Sequence, residues 1–365
     1  MHRTLPPFRA DHVGPLLRSP RLKEARARHA AGQFGEAELA AIEHDEIKKI
    51  IAKQEAIGLD SITDGEFRRA YWHFDFLADL DGVEMVEAEG IKFAGVTSKA
   101  EAPFVSGKLG SESHPQVAHF AYLKANTTRT PKMTIPSPSM LHYRGGRKMI
   151  DKTAYPTMEE FYSDLGQAYK QVVGQFYAAG CRYLQLDDCS FAYLCDAAQR
   201  QMLADRGDDP ARQADIYAGM INAALDGRPK DLVVSTHICR GNFRSTFIAS
   251  GGYEPIADLL FNRVNVDAYF LEWDSERAGG FEPLRFLPKG KTVVLGLITT
   301  KTGRIEQKDF IKRRIEEATK YVGLHQLCLS PQCGFASTEE GNVLAEDEQW
   351  AKLRMIVEIA EEVWG

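Results

Sequence analysis

The chain has few cysteines and uses none as a framework. Its six are Cys181, Cys189, Cys195, Cys239, Cys328 and Cys333, with none before residue 181 and no CxxC pair. That pattern argues against a disulfide scaffold and suits a reducing compartment. No run of about 18 apolar residues exists, which argues against a membrane-spanning helix. Residues 1–20 carry Arg3, Arg9, Asp11 and Arg18 and lack an apolar core, so no secretory leader is expected. Basic residues are not in excess: 45 against 51 acidic gives a net charge of −6. Non-specific nucleic-acid binding, which needs basic surface to displace counterions, is therefore not expected. Walker A, G-x-G-x-x-G and G-x-S-x-G motifs are absent from any strand–turn–helix context, leaving nucleotide and serine-hydrolase readings unsupported. There are no internal repeats or low-complexity tracts. What remains is an ordinary globular balance, 44% hydrophobic and 26% charged over 365 residues. It points to a soluble, cytoplasmic enzyme.

Short β-rich runs alternate with helical patterns. Strands are expected at 11–17, 60–66, within 131–142, and at 183–188, 231–239, 268–274, 292–300 and 325–331. Helices are expected at 36–57, 157–179, 306–321 and 346–363, with another near 255–261. The second of these starts on a Thr157-x-x-Glu160 capping pattern and stops at Gly180. Eight strands with intervening helices predict an α/β fold, a (β/α)8 TIM-type barrel occupying residues 1–365. A doubly wound open sheet is the runner-up, because periodicity does not show closure. Residues 82–128 break the cadence, rich in Val, Lys, Glu, Ser and Gly. They read as a non-helical, β-hairpin-like insertion after strand two. A cover for the barrel mouth and a plain surface loop are equally good readings of it.

Candidate chemistry gathers at the ends of the later strands. His237 and Cys239 stand at i and i+2 on strand five, so both face one way. Alone, His-x-Cys is weak, since a packed histidine beside a packed cysteine is common. Glu272 ends the apolar strand six, and a buried carboxylate needs a partner. Cys333 follows strand eight. The four lie 33 and 61 residues apart beyond the His-x-Cys pair, about one and two βα units. A closed barrel brings them to one end, where a His-Cys-Glu-Cys set makes a tetrahedral zinc site. Glu66, Asp187 and Lys301 close strands two, four and seven. For the carboxylates, a helix cap or an arginine partner competes with gripping an ammonium group. Lys301 has a plain alternative as a solvated cation. Cys189 is near the proposed mouth; Cys181, Cys195 and Cys328 read as packing residues.

At these residues the sequence resembles the cobalamin-independent methionine synthase family, in its C-terminal catalytic barrel. The likeness is strongest to short stand-alone methyltetrahydropteroyltriglutamate–homocysteine methyltransferase-like members. It rests on Ala10-Asp11-His12-Val13-Gly14, Asp64-Gly65-Glu66-Phe67-Arg68-Arg69, Leu184-Gln185-Leu186-Asp187, His237-Ile238-Cys239 and the run Ser330 to Ser337. The resemblance implies a TIM-type barrel and one catalytic zinc held by His237, Cys239, Glu272 and Cys333. It implies that Glu66 and Asp187 hold the amino group of homocysteine. It also implies that the zinc-bound thiol attacks a folate methyl group. The partners would then be a small thiol and a methyl donor. Two positions depart from the larger members. Pro15 follows Gly14 where they have serine. Lys301 stands where they have an acidic histidine, which puts the acid role on Lys301. Alkyl transfer to another thiol, as in epoxyalkane–coenzyme M transferases, and a non-catalytic zinc- or thiol-binding protein are the alternatives.

Overall fold

The computed structural model describes residues 3–365. Its strands, in chain order, begin with β1 (Ser61–Ile62). Four lie outside the barrel: β2 (Asp81–Glu87), β3 (Lys92–Phe93), β4 (Val96–Thr97) and β5 (Glu101–Gly110). Then come β6 (Thr130–Pro136), β7 (Tyr183–Asp188), β8 (Val233–Ile238), β9 (Ala268–Glu272), β10 (Thr292–Ile298) and β11 (Leu327–Pro331). One seven-stranded sheet runs β1-β6-β7-β8-β9-β10-β11, every pair parallel. Within this sheet each strand lies beside the next of its strands along the chain, the order of a βα barrel rather than of a doubly wound sheet.

The sheet curls into a TIM-type barrel whose eighth stave is the extended segment at residues 9–14. Ala10 bridges Leu329 in parallel, Asp11 N–H donates to Leu329 O (3.0 Å), and Leu329 N–H donates to Arg9 O (2.9 Å). On its other side, the Ser61 hydroxyl donates to Asp11 Oδ1 (2.8 Å). The expected strand 11–17 is therefore displaced and shorter. Gly14 adopts φ 137°, and Pro15 has no N–H to give a ladder. Strand two is also shorter than expected. The Thr63 N–H leaves the ladder for Gln54 Oε1 (3.0 Å), and a turn through Gly65 and Glu66 follows.

Strands β6 to β11 are buried almost throughout, as a parallel sheet covered by helices should be. The helix Met158–Ala178 shows how the covering works. Phe161, Leu165, Ala168, Tyr169, Val172 and Phe176 recur at three- and four-residue spacing and are buried. Thr157 Oγ1 caps the Glu160 N–H, and Gly180 turns the chain out at φ 96°. Among the described residues, no helix is long and apolar enough to cross a membrane.

The excursion after β1 is a real hairpin. β2 pairs antiparallel with β5, and β3 with β4 forms a small second hairpin near its tip. Its last part corrects the non-helical expectation for 82–128. Gln116–Asn126 is a helix, with Gln116, Phe120 and Leu123 buried on one face. Valine- and lysine-rich sequence upstream hid that short stripe. The tip lies over the barrel mouth: Ala94 N–H donates to Phe247 O (3.1 Å), and the Phe93 and Phe243 rings are 5.1 Å apart.

Candidate metal centre and substrate cavity

Register sets the site. Asp187 on β7 is the Cα partner of His237 on β8, and His237 in turn partners Phe270 on β9. Glu272, two residues on, partners Gly296, which also pairs with Ser330 on β11. Three strand ends are thus level, and Cys239 and Cys333 emerge one and two residues past β8 and β11. A side chain at position 296 would have no room, because a Cβ there would lie 2.8 Å from both Gln332 Cα and Leu271 O.

His237, Cys239, Glu272 and Cys333 are all buried, with ligand atoms within 4.8 Å of one another. The Cys239 and Cys333 sulfurs are 3.5 Å apart. His237 Nδ1 lies 3.3 Å from Phe270 O, whereas its buried Nε2 has no partner. That arrangement puts the ring proton on Nδ1 and leaves the Nε2 lone pair facing the cluster, as outer-shell carbonyls do for ligating histidines. Glu272 is held from two sides. Arg240 N–H donates to Oε1 (2.7 Å), and Arg277 Nη2 lies 3.1 Å from Oε2. The nearby Cys189 thiol, together with burial, pushes the Cys239 thiol well above its ordinary range. Hydrogen bonding with Cys239 and burial do the same to Cys333. Only a cation would make both sulfurs thiolates here, since a coordinating thiol is deprotonated outright. One free imidazole nitrogen, two close sulfurs and a carboxylate suit a tetrahedral zinc-type ion.

The centre opens on a cavity lined by Asp187, Cys189, His237, Cys239 and Cys333, with Ile91 and Phe93 of the excursion across it. Of the two expected acidic residues, Asp187 lines the cavity and Glu66, which is buried, does not. Gln185 Nε2 donates to Asp187 Oδ1 (2.7 Å). The Thr134 hydroxyl donates to Glu66 Oε1 (2.7 Å), Arg69 Nη1 lies 3.2 Å from the same oxygen, and Oε2 is buried without a partner. Burial raises the Glu66 pKa against the pull of Arg69. Burial and then the Glu66 charge push Asp187 well above the carboxylate range. Glu66 also sits at φ 59°, a conformation disfavoured for a non-glycine residue and typical of strained functional turns.

Lys301 is placed differently from the expected acid. Its ammonium donates to Thr246 O (2.9 Å) and Asn242 Oδ1 (3.1 Å), and it is absent from the cavity lining. It braces the loop after Cys239. Among the cavity residues with no place in the sequence reading are His73 and Arg144. The aromatic run Tyr71-Trp72-His73-Phe74, just past the acidic motif, was the available signal for the first. Cys181, Cys195 and Cys328 are packing residues as expected, pushed by burial up to about 12, 12 and 11.

Residues 10–362 match the family model described as "Cobalamin-independent synthase, Catalytic domain". A Bacillus subtilis relative, "Uncharacterized protein YxjH", is 52% identical over 361 residues, covering 98% of this chain and 95% of its own. A crystal structure of a putative vitamin-B12-independent methionine synthase from Listeria monocytogenes superposes with a TM-score of 0.81 at 41% identity, covering all of both chains. A 5-methyltetrahydropteroyltriglutamate–homocysteine methyltransferase of Lactiplantibacillus plantarum is 22% identical over 93% of this chain. The match spans 41% of that protein's length.

Proposed function

Because this chain belongs to the cobalamin-independent synthase catalytic-domain family, we propose that it is a zinc-dependent methyltransferase acting on the thiol of homocysteine. The product is methionine, and the donor is methyltetrahydrofolate or another methyl carrier. The observation that carries this reading is the buried His237-Cys239-Glu272-Cys333 cluster, with its partnerless Nε2, opening on a cavity. A closed structural zinc site would not line a substrate cavity. When bound, zinc lowers the pKa of an incoming thiol and keeps it nucleophilic at neutral pH.

The remaining work falls to this chain's own side chains. Asp187, backed by Glu66, faces the cavity with a carboxylate whose ionisation is opposed by burial and by its neighbour. A substrate ammonium removes that opposition. Such a pair favours an aminothiol over 2-mercaptoethanesulfonate, which has no ammonium to offer. Ile91, Phe93 and Trp72 close the cavity with apolar surface and keep water from the reacting sulfur. Lys301 acts as a positioning residue, fixing the loop at 241–246 beside Cys239.

Zinc-edge absorption tests the reading directly. Homocysteine should add one sulfur neighbour to the metal, and homocysteine with a methyl donor should yield methionine. An unchanged sulfur count would return the centre to a structural role.

The acidic pair predicts a pH dependence. Its pKa values are raised in the ligand-free protein, so binding an ammonium releases protons. Affinity for homocysteine should therefore climb as pH rises above the ordinary carboxylate range, levelling once the free pair is ionised. Glu66→Gln should flatten this climb and weaken binding by roughly 10-fold or more, the value of a charge-assisted contact. Calorimetry in buffers of different ionisation enthalpy reads the proton release. Equal proton release by Glu66→Gln and the wild type would remove Glu66 from the ammonium site.

A further inference from the structure

We infer that Arg144, with His73 beside it, is an anion-binding point for a substrate, placed where the inner cavity meets a larger outer cleft. The inference rests on the methyl-transfer reading only for which substrate brings the anion. Arg144 directly follows the short helix Ser139–Tyr143 that leaves β6. With Ile91 it lines both the inner cavity and the outer cleft beneath the excursion. A compound reaching from the cleft toward Cys239 would run beside it.

The guanidinium is under-used for its position. Its Nη2 donates to the Tyr193 hydroxyl (3.2 Å) and it lies over that ring at 5.1 Å, but its enclosed Nε has no partner. Among the described residues no carboxylate forms an ion pair with it. Two other arginines near the site are paired, Arg69 with Glu66 and Arg277 with Glu272 and Asp274, while Arg240 is fully buried over the Tyr253 ring and lies outside the cavity lining. Leaving a half-buried guanidinium without a counter-charge is costly, and a ligand carboxylate matches its planar fork with two parallel hydrogen bonds.

His73 supplies the second donor. It is 2% exposed, its ring lies tilted against those of Trp72 (4.4 Å) and Phe74 (4.2 Å), and both ring nitrogens lack partners. Burial and then the charge of Arg144 hold the ring neutral, so one nitrogen carries a proton to donate. Elsewhere on the same lining Pro15 has no N–H to give, and Asn242, Ser337 and Thr338 are neutral, so among the described residues Arg144 is the one arginine or lysine that faces the cavity. A zwitterion is thus served at two separate points, its ammonium by Asp187 and Glu66 and its carboxylate by Arg144. The anion has two possible sources, the α-carboxylate of an amino-acid thiol or an acidic group on the methyl donor.

Arg144→Ala and Arg144→Lys, loaded with zinc, separate these sources by calorimetry. If the α-carboxylate is the ligand, Arg144→Ala binds L-homocysteine about 10- to 100-fold more weakly. It should then bind 3-aminopropane-1-thiol, which lacks the carboxylate, as the wild type does, with Arg144→Lys intermediate for homocysteine. If the donor brings the anion, both thiols bind normally. The same loss then appears for 5-methyltetrahydrofolate added over saturating homocysteine. 2-Mercaptoethanesulfonate against 2-mercaptoethanol gives the same charge contrast without an amino acid. The anion point is therefore tested even if homocysteine proves not to be the acceptor. Equal weakening of every probe, or no change in any, overturns the inference.

Discussion

Cys239→Ser and Cys333→Ser, purified from zinc-supplied cells, are expected to lose most of their metal and at least about 10³-fold in methyl transfer. Several kcal/mol of transition-state stabilisation by the cation corresponds to that factor. The argument is local. The two sulfurs sit 3.5 Å apart in a buried cluster, so each supplies one of two soft donors. A serine hydroxyl of nearly the same size keeps the packing but is a poor zinc ligand at neutral pH. Thermal midpoints of the zinc-free forms should therefore stay close to that of the zinc-free wild type. Metal analysis by mass spectrometry, run beside the activity assay, gives the decisive number. Full zinc occupancy in Cys333→Ser would strike that residue from the proposed ligand set. Cys189→Ser is the internal control. It lines the cavity next to Cys239 but lies outside the four-residue cluster, so its metal content should not change.

The candidate ligands were legible because strand alternation and βα spacing are strong constraints. His237 and Cys239 share a face by the two-residue period, and one βα unit leads from there to Glu272. Once the barrel closes, the level ends of β8, β9 and β11 bring these distant positions within 4.8 Å. Closure itself was not legible. The eighth stave is held by a single bridge at Ala10 and by side chains, a pattern with no hydrophobic alternation to show it.

What sequence patterning misses is how a polar group is used once its neighbours are fixed. Lys301 stands at a strand end like the site residues, yet two acceptors on the loop at 242–246 take up its ammonium. Arg144 reads as one more arginine in a polar stretch, and only the fold reveals that it lines the cavity and, among the described residues, forms no ion pair. His73 hides within an aromatic run whose plain reading is core packing. Each depends on contacts between elements far apart in the chain, which periodicity does not encode.

Asp11→Ala is expected to destabilise the protein by about 3–5 kcal/mol, the cost of stranding a buried charge. Asp11 lies on the eighth stave and carries the barrel's most crowded carboxylate. Oδ1 accepts from His12 N–H (2.8 Å), the Ser61 hydroxyl (2.8 Å) and the fully buried Lys132 ammonium (3.1 Å). Oδ2 accepts from the Tyr183 hydroxyl (2.9 Å) and Phe8 N–H (3.2 Å). Truncation leaves Lys132 with the His12 carbonyl and the faces of Phe270 and Tyr183. Two buried hydroxyls lose their acceptor as well. The reciprocal change should cost less. In Lys132→Met, Asp11 keeps four donors, two of them backbone N–H groups, and the linear thioether fills the lysine stem's space. Urea unfolding should therefore rank wild type, Lys132→Met and Asp11→Ala in falling order of midpoint. An equal loss in both variants would mean that the ion pair, rather than the carboxylate's wider set of donors, holds the stave in place.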